Sequence, residues 1–157
     1  MKQIKGTGVR KKEILKKDEF NLQRFLTAQN DIYSNVIAEL KQGKKESHWM
    51  WFIFPQLKGL GISENSDYYG ILNEKEAIAY LLNPILRNRY LECCKILLTL
   101  NTTSKEIFGI IDERKLLSSL TLFSHISDNK IIAETKRKFF GNTNCEYTKK
   151  ALSELNS

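Results

Sequence analysis

One local pattern constrains this chain more than any other: a side chain able to cap a helix, followed by apolar residues spaced by three and four. That spacing lines apolar side chains along one face of a helix, whereas a strand would send them to both sides. Asn21 precedes Leu22, Phe25 and Leu26; Asp31 precedes Ile32, Val36, Ile37 and Leu40, with Gly43 as a left-handed stop. Asn73 with Glu76 reads as a capping box ahead of Ala77, Ile78 and Leu81. Asn83 caps a helix whose first position is Pro84, and Ile85, Leu86, Leu91, Cys94, Leu97 and Leu98 follow. Further helices are predicted from about Asp112 to His125, after Asp128 to Gly141, and after Asn144 through Leu155. The chain has 2 prolines, both at boundaries. The predicted fold class is therefore all-α: a compact multi-helix single domain with at most one short β pair. Trp49-Met50-Trp51-Phe52-Ile53-Phe54 suits a buried strand as well as a helix.

Charge divides the chain in two. The total is +7, but residues 1–17 hold seven basic side chains against Glu13 alone, a net +6, leaving +1 for residues 18–157. We expect a basic flexible tail over 1–17 and one helical domain over 18–157. Such a tail can make weak, non-specific contact with nucleic-acid phosphates, which gives one functional reading: a nucleic-acid- or protein-binding module. No apolar run approaches the roughly 18 residues of a membrane span, so no membrane partner is expected. Cys93, Cys94 and Cys145 form no disulfide framework, and a reducing cytoplasm is the expected compartment. Cys93 and Cys94 fall in an apolar helical pattern and read as core residues. A phosphate-binding loop and a dinucleotide glycine fingerprint are both missing, and His48 and His125 are too few for a zinc site; no cofactor or metal is expected.

Chemistry concentrates in Ser47-His48-Trp49-Met50-Trp51-Phe52-Ile53-Phe54-Pro55-Gln56-Leu57-Lys58-Gly59-Leu60-Gly61, which holds both tryptophans and one of the 2 histidines. His48 can serve as general acid or base near neutral pH. Trp49 and Trp51 can stack a base or sugar face, and Gly59 and Gly61 permit close approach of a ligand. Glu64 and Asp67, on a short polar stretch capped by Ser63, are candidate acid–base partners of His48. A second constellation lies on one helical stripe: Asp112, Lys115 and Ser119, with Ser118 and Thr121 beside it. Lys115 can hold an anion, and the hydroxyls can bond phosphate or sugar oxygens. Small hydroxyl residues equally allow close helix packing, and Asp112 can simply pair with Lys115. Lys45, Gln56 and Tyr69, within or beside these motifs, complete the candidate ligand-binding set.

The residues from Ser47 to Gly61 strongly resemble the signature of a bacterial domain-of-unknown-function family, number 1810, whose members are sometimes labelled "putative calpastatin". Tyr69-Gly70-Ile71, Ala79-Tyr80-Leu81, Ile107-Phe108-Gly109 and Lys115 with Ser118-Ser119-Leu120-Thr121-Leu122-Phe123 agree with it. The resemblance spans about Asn21 to Leu155. It implies a compact, mostly helical fold and brings no established activity or catalytic residues. The calpastatin label carries no weight, because an inhibitor that works as an extended chain shares nothing with a packed domain rich in Trp and Leu.

These readings converge on a pocket for an anionic, nucleotide- or nucleotide-sugar-like molecule, with His48 available for hydrolysis of the N-glycosidase kind. His48 and Lys115 are expected on one concave surface with Trp49 or Trp51 on its wall. Deleting residues 1–17 is expected to shift the melting temperature by less than about 2 °C, since a tail outside the packed domain has few contacts to lose. A larger drop by calorimetry would make the tail part of the fold.

Overall fold

The computed structural model describes residues 18–155; the predicted basic tail lies outside the described residues. Within them the chain is helical: α1 Gln23–Asn30, α2 Tyr33–Gln42, α3 Met50–Ile53, α4 Glu64–Tyr68, α5 Glu74–Leu82, α6 Pro84–Thr99, α7 Ser104–Ile126, α8 Lys130–Phe140 and α9 Glu146–Leu155. The expected all-α class holds. The short β pair reduces to one parallel bridge, Leu57 with Ile71, where Lys58 N donates to Ile71 O and Ile71 N to Gln56 O, each at 2.8 Å. Gly70 is required beside it, because a Cβ there would stand 2.7 Å from Lys58 Cα. The ambiguous aromatic run forms α3, a single turn of helix.

Several caps follow the sequence and several do not. Asn73 accepts from Glu76 N, Asn83 from Ile85 N and Leu86 N, and Gly43 ends α2 at φ +76°. Asn21 does not cap α1. It occupies the left-handed region at φ +53°, a conformation asparagine tolerates. The Asp18 carboxylate accepts instead from Leu22 N and Gln23 N. Asp31 closes α1 and does not open α2. Asn129, one residue beyond the expected Asp128, caps α8. The helix expected from Asp112 begins earlier, at Ser104 with Thr103 as its cap, and is broken at Gly109 (φ +81°, ψ +167°). Only glycine adopts that backbone without strain.

α6 and α7 form the centre. α6 packs against α2, α5 and α8, α7 against α3, α5, α8 and α9, and α1 rests on α3 and α6. A run of ring contacts links the layers, passing from Phe25 through Tyr80, Phe123, Tyr90 and Phe54 to Trp49 and Phe108. Cys93 and Cys94 are fully buried in α6, as expected of core residues, and burial pushes the Cys94 thiol up to about 12. The Lys138 ammonium closes the open end of α6 by donating to the carbonyls of Leu97, Leu98 and Leu100.

The first loops are tied to α5 by Arg24. Its guanidinium donates to Phe20 O, Asn21 O, Tyr68 O and Gly70 O and forms a 2.7 Å ion pair with Glu76. The two side chains are 7% and 3% exposed, so neither charge can fall back on water. Arg24→Met should lower stability by about 3–5 kcal/mol, because a buried carboxylate loses its counter-ion. Adding Glu76→Leu to that variant should restore part of the loss in urea denaturation. Equal destabilisation of the single and double variants would show that the ion pair is not what the fold depends on here.

Candidate functional site

The signature segment is shaped by a residue outside it. Glu39, near the end of α2, is 7% exposed and accepts from Glu46 N (2.7 Å), Ser47 N (2.9 Å), Ser47 Oγ (2.6 Å) and Trp49 Nε1 (3.0 Å). Burial alone would raise its pKa; the hydrogen bonds from Ser47, Glu46 and Trp49 win, and hold it at about 2. Lys45 N donates to Ile107 O at 2.8 Å, which fastens the same loop to the start of α7. The loop is thus held from both sides, and its side chains are aimed by backbone contacts.

What it aims is a pair of cations. The Lys45 side chain is 8% exposed; its ammonium donates to Ser47 O at 2.6 Å and lies 2.8 Å from Asp112 Oδ2 and 5.1 Å from the Trp49 ring centre. Lys115 Nζ stands 3.3 Å from Asp112 Oδ1 and 4.7 Å above the Trp51 ring. Each ammonium is therefore held between the Asp112 carboxylate and an indole face, both of which attract a cation. The break at Gly109 turns Asp112 and Lys115 into register with this loop.

A cleft of about 470 Å³ opens over the group, lined by Lys45, His48, Met50, Trp51, Asp112 and Lys115 together with Phe108 to Ile111. His48 and Lys115, 67 residues apart in the chain, thus line one concave surface with Trp51 on its wall. Among the described residues no group of three or more His, Cys, Asp or Glu side chains is placed to hold a metal ion.

The other sequence candidates are distributed differently. Trp49 is fully buried and packs on Phe54 and Phe108; it supports the cleft from beneath and offers no stacking face. Glu64 and Asp67 lie exposed on α4, and neither lines the His48 cleft; Asp67 sits 3.6 Å from Lys58 at a separate groove. Glu64 and Asp67 are therefore not brought into the cleft that His48 lines, although Ser66 of the same helix lines a small cavity beside Trp51 and Lys115. Ser118, Ser119 and Thr121 are 0–2% exposed. Ser119 Oγ bonds Tyr90 Oη (2.8 Å), Ser118 Oγ bonds Thr148 Oγ1 (3.0 Å), and Thr121 Oγ1 donates to Leu117 O and accepts from Cys145 N. These hydroxyls join helices, since a buried hydroxyl must find a partner and neighbouring helices supply it.

Gln56 and Tyr69 line a small cavity behind Trp51 and Lys115. A Cβ on Gly59 would meet Tyr147 Oη at 2.6 Å, and one on Gly61 would meet Ser66 Oγ at 2.2 Å, so both glycines serve close packing of protein on protein. The sequence reading missed Glu39 and the Lys45–Asp112 pair. A buried carboxylate in the last turn of a helix has no periodic signature, and the pair spans separate elements.

A protein-family profile described as "Protein of unknown function (DUF1810)" matches residues 19–152. The chain belongs to this family. The conserved hypothetical protein Rv1873 from Mycobacterium tuberculosis, whose crystal structure was solved at 1.38 Å, is similar to it at 40% identity and a TM-score of 0.85; the alignment covers 87% of this chain and 99% of that one. No curated protein matches. The family's fold is thus shared across this similarity, and the cleft must be read from its own residues.

The Glu39 contacts generate a test with a definite sign. A carboxyl held at about 2 in the folded chain, against an ordinary 4.5, contributes stability that is fully present above about pH 4.5. That contribution is lost as pH falls from there toward 2. Glu39→Gln is expected to cost about 2–4 kcal/mol at pH 7, since charge-assisted bonds to buried donors are lost. The gap between wild type and variant should narrow below pH 4 in denaturation curves. A gap that stays constant from pH 7 to pH 3 would contradict the role given to the ionised carboxylate.

Proposed function

We propose that the cleft binds an anionic small molecule of nucleotide or nucleotide-sugar type. The observation that carries this reading is the sharing of one carboxylate by two ammonium groups. Lys45 and Lys115 both contact Asp112, so one positive charge on the wall remains uncompensated, beside the face of Trp51. A phosphate-sized anion would complete the group by charge-assisted hydrogen bonds, and the indole would pack against the organic part of the ligand.

His48 adds a proton-transfer group at the rim. For hydrolysis at this site it would serve as the general acid or base, with Asp112 as the carboxylate on the same wall in place of Glu64 or Asp67. A binding module that uses the basic tail is the competing reading. Its charge lies outside the described residues, whereas the charge in the cleft is part of the folded domain.

Titration of the full chain with AMP, ADP and a nucleotide sugar, followed by tryptophan fluorescence, should give saturable binding. Lys115→Ala should weaken it by about tenfold or more, the scale of one lost charge-assisted bond. His48→Ala should retain binding and abolish any hydrolysis of the bound nucleotide sugar. Absence of binding at millimolar nucleotide, or an unchanged Lys115→Ala variant, would overturn the proposal. Loss of all affinity on deleting residues 1–17 would favour the tail instead.

A further inference from the structure

Lys115 belongs to more than one concavity. Beyond the His48 cleft, it and Ile111 also line a second one of about 450 Å³, walled by Leu60, Gly61 and the residues Asn144 to Glu146 ahead of and at the start of α9. The two spaces therefore adjoin along Ile111 and Lys115. Each alone falls within the size range of small-ligand pockets.

The formal charges in each space cancel except at the boundary. On the His48 side, Asp112 is closer to Lys45, at 2.8 Å, than to Lys115, at 3.3 Å. On the far side, Arg114 and Glu146 line the same wall with opposite formal charges. The cation left over is Lys115, at the junction. Apolar surface lies on both sides of it, from Trp51 and Phe108 in one space and from Leu60 and Leu117 in the other. Asn144 and Glu146 add donors and acceptors suited to sugar hydroxyls.

We infer that the ligand is two-ended: an internal phosphate linkage, diester or diphosphate, seated on Lys115 with a ring-bearing group in each concavity. This rests on the anion-binding reading above and sharpens it. A terminal phosphate would satisfy Lys115 and leave the second concavity without an occupant, whereas a linking phosphate uses both.

The test compares ADP with diadenosine diphosphate on the full chain by calorimetry. The two-ended molecule should bind at least about tenfold more tightly, as an added ring-bearing group buried in a matched space allows. Asn144→Trp, which fills the second concavity, should bring its affinity down to that of ADP and leave ADP unchanged. A second readout needs no variant. Cys93 and Cys94 are fully buried, so Cys145, in the wall of the second concavity, is the accessible thiol among them. Diadenosine diphosphate should slow its alkylation by a maleimide, and ADP should not. Equal affinities with no protection of Cys145 would overturn the two-ended ligand while leaving the anion site standing. If neither molecule binds, the anion site itself fails, and this inference with it.

Discussion

The Glu39 carboxylate is the contact from which the geometry of the cleft descends. It takes hydrogen bonds from two successive backbone amides, one hydroxyl and one indole, all donated by the residues that follow α2. The buried carboxylate draws these donors to one point, and a neutral acceptor could not take so many of them at once. With the loop held, Trp49 enters the core at full burial and Lys45 is left lying over its ring beside Asp112. The position of the cation is thus a consequence of where an anion was buried ten residues before Trp49.

The two indoles show how neighbouring residues of one type acquire different work. Trp49 precedes α3 and faces the interior, where its N–H meets Glu39. Trp51 lies within the turn and stays partly exposed, its face covered by Lys115 from α7. An aromatic face attracts an ammonium through its ring electrons, so the Trp51 ring holds Lys115 at the cleft wall. The break at Gly109 matters for the same reason. The break changes the direction of the helix three residues before Asp112, whose carboxylate bridges α7 to the loop through Lys45.

Three buried polar groups tie elements together: Glu39 with its loop, Arg24 with Glu76, and Ser118, Ser119 and Thr121 of α7. Ser118, Ser119 and Thr121 lie where a helix needs both small volume and a donor, and their partners Thr148, Tyr90 and Cys145 come from α9, α6 and the approach to α9. Their spacing beside Lys115 looks like a ligand-binding stripe in one dimension. In three dimensions Lys115 alone of the four is turned toward the cleft, because residues three positions apart on a helix share a stripe yet the cleft covers only its first turn after Gly109.

The sequence by itself determined what depends on short range: helical class from three-and-four spacing, the caps at Asn73 and Asn83, the stop at Gly43, and cysteines consigned to a helix core. Rotational preference and local hydrogen bonding decide such features within a few residues, so they can be read along the chain. Only the tertiary structure decided that Glu64 and Asp67 do not line the cleft of His48, and that Lys45 meets Asp112. Those outcomes depend on which elements come to lie side by side. That is set by how α6 and α7 pack against their neighbouring helices and by the ring contacts that link the layers, and no stretch of sequence near His48 or Lys115 contains it.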